Sequence, residues 1–235
     1  MLPAPLPFAA GATPWLKVCG LRRPEQAAAV AALGVEAIGV IAVPRSPRWL
    51  EPADRPGLFA AMAEAAPACR GVLVVADPAD SDLELLGPGL GHQVLQLHGG
   101  ETPERCRQLR ERFGPELLLW KALRVRSAAD LQRVAAYGDV VDGLLLDAWV
   151  PDQLGGTGHR IPIEWLQGFT APLPWWLAGG ITPERIGPVA QALAGCLPQG
   201  LDASSGVERS PGDKDLERVA QLVAAVKAVR QDQAS

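Results

Sequence analysis

The reactive side chains of this chain stand at the ends of short apolar runs. Leu16-Lys17-Val18-Cys19-Gly20 puts Lys17 and Cys19 on one face of an extended segment, because side chains alternate along a strand. An inward-facing Cys19 is a candidate general base if something draws its thiol pKa below the usual value of about 8.5. Lys17 on the same face and the start of the next helix are the two candidates for doing so. Otherwise Cys19 is a buried, inert thiol. Leu144-Leu145-Leu146-Asp147-Ala148 ends three leucines on a carboxylate. Burying that group unpaired is costly, so it meets a partner or titrates high, and a high pKa is what a general acid needs. Val94-Leu95-Gln96-Leu97-His98-Gly99 turns Gln96 and His98 to one face, either as ligand contacts or as a hydrogen-bonded core pair. In Pro44-Arg45-Ser46-Pro47-Arg48-Trp49 two prolines stiffen a loop from which Arg48 offers its fork to a carboxylate or simply faces water.

Three small-residue stretches follow three successive apolar runs: Gly155-Gly156-Thr157-Gly158, Ala178-Gly179-Gly180 and Ser204-Ser205-Gly206. Glycine lets backbone approach an anion and hydroxyls add donors, so together they read as a phosphate cradle.

The elements that must position these groups alternate along the chain. Strands are predicted at Leu16–Cys19, Ala37–Val43, Gly71–Ala76, Val94–His98, Leu117–Leu123, Gly143–Ala148, Trp175–Ala178 and Gly200–Ser204, each followed by a stretch that can be helical. Pro24, Pro52, Pro103 and Pro183 fall where helices start, and Thr102 and Thr182 read as N-caps. Strand–helix alternation implies an α/β fold with a parallel sheet, and eight repeats in 235 residues favour a single (β/α)8 TIM barrel over an open doubly wound sheet. Function in such a barrel sits at the C-terminal strand ends, where Cys19, His98 and Asp147 stand. The expected organisation is a loose tail over Met1–Pro14 and a catalytic barrel over residues 15–235.

Composition narrows the partners. A formal net charge of -4 argues against nucleic acid and anionic membranes, though not against an anionic small molecule. Cysteines at 19, 69, 106 and 196 form no CxxC pair, so a metal site is not expected and a reduced, cytoplasmic setting is. No apolar run approaches the roughly 20 residues of a membrane helix. Monomer and homodimer both remain open.

The motifs then resemble one family. Lys17-Val18-Cys19-Gly20, Ser46-Pro47-Arg48, Gln96-Leu97-His98-Gly99, Leu145-Leu146-Asp147, Gly155-Gly156-Thr157-Gly158, Leu177-Ala178-Gly179-Gly180 and Asp202-Ala203-Ser204-Ser205-Gly206-Val207-Glu208 are similar, in order, to those of phosphoribosylanthranilate isomerases, over residues 15–230. The resemblance implies an Amadori rearrangement of an aminoaldose phosphate in tryptophan biosynthesis, with Asp147 as general acid and Cys19 as general base. It implies Arg48 on the anthranilate carboxylate and Gln96, His98 and Asp202 along the substrate. It places the phosphate on Gly156, Thr157, Gly158, Gly179, Gly180, Ser204, Ser205 and Gly206. It implies a phosphosugar substrate and no metal or organic cofactor. The chain departs from the family pattern at Ile41-Ala42-Val43, at Leu73 and at His159-Arg160.

Overall fold

Strands whose two faces are both apolar need cover on both sides, and a closed parallel barrel supplies it. The computed structural model describes residues 14–148 and 160–234. Eight parallel strands close in chain order: β1 (Trp15–Cys19), β2 (Ala37–Ile41), β3 (Arg70–Val75), β4 (Val94–Leu97), β5 (Leu118–Val125), β6 (Gly143–Ala148), β7 (Trp175–Ala178) and β8 (Gly200–Ala203). β8 returns to β1, with Lys17 opposite Asp202. All eight predicted strands are present. Several ends differ: Val43, His98 and Ser204 lie past the last residues of their strands, where the backbone turns into the mouth loops.

The inward faces carry Cys19, Ala37, Val72, Val74, Val94, Trp120, Ala122, Leu145, Trp176 and Ala178. The outward faces, Leu16, Val18, Ile38, Val40, Leu95, Leu97, Leu144 and Leu146 among them, join the larger core beneath the helices. Trp120 and Trp176 plug the interior with ring centroids 4.7 Å apart. Above them the inward positions turn polar, and that change of chemistry makes the site.

The helices are α1 (Pro24–Ala32), α2 (Arg55–Ala65), α3 (Pro103–Phe113), α4 (Ile186–Ala192) and α5 (Leu216–Ala234). Pro24 and Pro103 occupy first turns. Pro52 and Pro183 open short 3-10 turns, Pro52–Asp54 and Pro183–Arg185, that lead into α2 and α4. Thr102 caps α3, its hydroxyl accepting from Arg105 N at 3.2 Å. Thr182 makes no such cap. Not every strand is followed by an α-helix. The described residues after β3, β5 and β6 form only 3-10 turns, at Asp80–Leu85, Ala128–Tyr137 and Ile163–Leu166. An unpredicted antiparallel hairpin, β9 (Glu208–Ser210) and β10 (Asp213–Lys214), follows β8 and turns at Pro211-Gly212.

Of the expected tail only Pro14 is among the described residues, and its carbonyl accepts from Arg230 at 2.8 and 3.1 Å. No helix among the described residues is long and apolar enough to cross a membrane.

Candidate active site

One cavity opens at the C-terminal ends of the strands. Cys19, Arg48, Gln96, His98, Asp147, Gly179, Gly180, Asp202, Ser204, Ser205 and Gly206 all line it. Gly156, Thr157 and Gly158 lie outside the described residues.

β1 delivers Cys19 and Lys17 to the same inward face. Lys17 is fully buried and donates to Asp202 Oδ2 at 2.7 Å. Burial works against the Lys17 ammonium, but the Asp202 carboxylate and the Cys19 sulfur outweigh it and hold its pKa above the usual lysine value. The thiol moves the other way from what a base requires. Burial pushes Cys19 up, Lys17 pulls it back without prevailing, and Asp202 adds to the rise. Lys17 is therefore a counterweight in this structure rather than an activator strong enough to leave a free thiolate. Burial likewise raises Asp202, against the pull of Lys17. Its Oδ1 is buried without a hydrogen-bond partner.

β4 and β6 supply the opposite wall. Gln96 Nε2 and His98 Nδ1 are 2.9 Å apart, so the two expected alternatives coincide: the residues bond each other and line the cavity. The Gln96 amide donating to Nδ1 would leave the imidazole proton on Nε2. His98 Nε2 stands 3.3 Å from Asp147 Oδ2, within ion-pair reach but out of line for a hydrogen bond. Asp147 thus has the partner that its buried position demands.

Arg48 leaves the loop after β2 and is buried, not solvated. Its Nε lies 3.0 and 3.1 Å from the two Glu208 oxygens, and its Nη2 lies 2.7 Å from Oε2. The arginine fork does find a carboxylate, and in this structure it belongs to the β9–β10 hairpin. Lys214, also on the hairpin, donates to Glu208 at 2.6 Å and to the Cys19 carbonyl.

The third wall is nearly all backbone. Gly179 and Gly180 take φ values of +90° and +61°, and Arg185 clamps their carbonyls at 2.9 and 2.8 Å. A Cβ on Gly206 would lie 2.1 Å from the Ile181 carbonyl oxygen, so the loops after β7 and β8 meet main chain to main chain. Ser204 Oγ donates to the Cys19 carbonyl at 3.1 Å, tying this wall to β1. Sequence reasoning missed Ile41, Val43, Ser46, Val74, Ala178 and Ile181 as cavity lining. The period-2 pattern of β2 and β3 marks Ile41 and Val74 as inward, although nothing in their chemistry singles them out. Glu208 ends a matching segment without a role attached to it, and Lys214 lies beyond that segment.

Comparison with known proteins gives one consistent answer. The family model described as N-(5'phosphoribosyl)anthranilate (PRA) isomerase matches residues 16–225. The chain is 50% identical over 213 residues to the N-(5'-phosphoribosyl)anthranilate isomerase of Thermosynechococcus vestitus, covering 88% of this chain and 87% of that protein. Its fold is similar to that of phosphoribosyl anthranilate isomerase from Thermotoga maritima, with a TM-score of 0.79, 26% identity and coverage of 92% and 100% of the two chains. A further crystal structure of such an isomerase, in complex with reduced 1-(o-carboxyphenylamino)-1-deoxyribulose 5-phosphate, matches at a TM-score of 0.76 with 25% identity, again over 92% and 100%.

Proposed function

Because this chain belongs to the N-(5'-phosphoribosyl)anthranilate isomerase family and acts in tryptophan biosynthesis, we propose that Asp147 and Cys19 are its general acid and general base. The observation that carries the assignment is the arrangement of the mouth. A carboxyl on β6 and a thiol on β1 face one cavity from separate walls, with a glycine- and serine-lined wall beside them. The rearrangement needs an acid and a base aimed at different atoms, and two strands supply them without rivalry.

Asp147 gives its proton to the ribose ring oxygen as the bond from C1′ to that oxygen breaks, which leaves the open-chain Schiff base. The Cys19 thiolate takes the proton from C2′, and the released pair forms the C1′=C2′ enolamine. The enol hydroxyl then loses its proton and C1′ gains one, giving the ketose. The raised thiol pKa makes the thiolate a minority form, but one of high basicity, and Lys17 lies beside it to offset its charge. Arg48 holds the anthranilate carboxylate. Gln96, His98 and Asp202 face the sugar, and the buried, unpartnered Asp202 Oδ1 suits a ribose hydroxyl. Gly179, Gly180, Ser204, Ser205 and Gly206 would hold the phosphate, with Gly156, Thr157 and Gly158 as further expected donors. This scheme uses no metal or organic cofactor.

The test is isomerase turnover on phosphoribosylanthranilate generated in situ, for wild type, Cys19→Ala and Asp147→Asn. Each variant should lose about 10²-fold or more in kcat. A folded variant that keeps wild-type turnover would remove its residue from the scheme.

A further inference from the structure

The hairpin that sequence reasoning did not foresee carries two of the most deeply buried charges in the molecule. Glu208 is 4% exposed at its side chain and Lys214 is 0%. They stand opposite each other across β9 and β10. Glu208 accepts from Arg48, from Lys214 Nζ at 2.6 Å and from Gly212 N at 3.1 Å. Lys214 reaches the Cys19 carbonyl and stands 3.5 Å from that of Ser204. The Gln26 amide brackets its backbone, accepting from Lys214 N and donating to Lys214 O, both at 3.0 Å. Burial works against the Glu208 carboxylate, but Arg48 and Lys214 outweigh it and hold its pKa below the usual glutamate value, so it stays ionised. Burying three charges is poor value as stabilisation, since apolar residues of like size often do as well. Here it creates fixed geometry. Two donors on one edge of the Arg48 guanidinium are pinned, and its stem lies over Gly20, where a Cβ would fall 2.5 Å from Cδ. One carboxylate thereby connects a cation facing the cavity to the backbone of the proposed base.

We propose that Glu208, held by Lys214, is a positioning residue that sets the plane of the Arg48 guanidinium for the substrate's aromatic carboxylate. The proposal rests on the reading of Arg48 as the carboxylate clamp, and it locates substrate discrimination partly in the hairpin, which lies after the last barrel strand. A guanidinium already oriented loses less freedom on binding, and its bonds to a carboxylate are charge-assisted.

The test uses two probes. One is the reduced carboxyphenylamino deoxyribulose phosphate and the other is the same molecule without its carboxylate. Dissociation constants for both are measured by calorimetry on wild type, Glu208→Gln and Arg48→Met. Glu208→Gln should weaken the carboxylate-bearing probe about tenfold or more and leave the descarboxy probe within about twofold. If Arg48→Met discriminates between the probes and Glu208→Gln does not, the positioning role is overturned while the clamp stands. If Arg48→Met weakens both probes equally, the clamp itself falls and the positioning role with it. Should Glu208→Gln not fold, Lys214→Gln is read in the same way, because it releases Glu208 from its second anchor.

Discussion

Gly39 on β2 gives the sharpest prediction. A Cβ built there lies 2.5 Å from Cys19 Sγ and 3.1 Å from Cys19 Cα. Non-bonded carbon contacts settle at about 3.5–4.0 Å, so Gly39→Ala asks the sulfur to retreat by about 1 Å or more. The backbone cannot yield easily, because the Gly39 carbonyl accepts from Gly20 N at 2.8 Å and Leu21 N at 3.2 Å, and Gly39 is paired with both β1 and β3. The side chain of Cys19 must therefore swing. Misplacing a reacting group by about 1 Å costs on the order of 10²-fold in rate, while overpacking costs about 1–3 kcal/mol of stability. Gly39→Ala should stay folded with kcat down about 10²-fold and KM changed by no more than about threefold. The matched control is Gly200→Ala, whose Cβ would fall 2.2 Å from the Trp176 indole, deep in the barrel plug. It should show a comparable loss in urea denaturation without the selective loss of kcat. A folded Gly39→Ala enzyme with near-normal kcat would show that the position of Cys19 Sγ does not govern the reaction, and would refute the base assignment. An equal kcat loss in both variants would show that the effect is general softening of the barrel.

Two further predictions follow from buried charge. Lys17→Met removes the cation that draws Cys19 down, so the pH profile of Cys19 alkylation, followed by peptide mass, should move to higher pH. Lys17→Met/Asp202→Asn should move it the same way by less, and an unmoved profile in both would dismiss the Lys17 influence. Elsewhere, Lys121 and Glu101 form a buried pair at 2.7 Å, with Lys121 also donating to the carbonyls of Leu97 and Gly99. Lys121→Met should cost about 3–5 kcal/mol in urea denaturation, and Glu101→Gln added to it should recover most of the loss; a cost below about 1 kcal/mol would contradict the pairing argument.

The barrel was legible because its strands are dense in branched apolar residues and are punctuated by proline and glycine. The candidate site was legible because period-2 alternation assigns inward faces directly: Lys17 with Cys19, Gln96 with His98, and Asp147 above Leu145. Three things were not legible, each for a physical reason. The connections after β3, β5 and β6 have helix-compatible composition, and composition does not separate i→i+3 from i→i+4 hydrogen bonding. The β9–β10 hairpin is too short, at three residues and two, for alternation to register. The partner of Arg48 stands 160 residues away along the chain, and no local pattern encodes a contact at that separation.

The seam between β1 and β8 sets the order in which this protein becomes competent during synthesis. Lys17 and its counter-ion Asp202 are 185 residues apart, and the Lys214 contact to the Cys19 carbonyl spans 195. At roughly 5–20 residues per second, the first strand waits about 10–40 s on the ribosome before its neighbour exists. Throughout that time Lys17 lacks the carboxylate that makes its burial tolerable, so β1 has reason to remain hydrated while later strands assemble. A nascent chain arrested before residue 202 should therefore leave Cys19 open to alkylation at a rate close to that of an unfolded thiol.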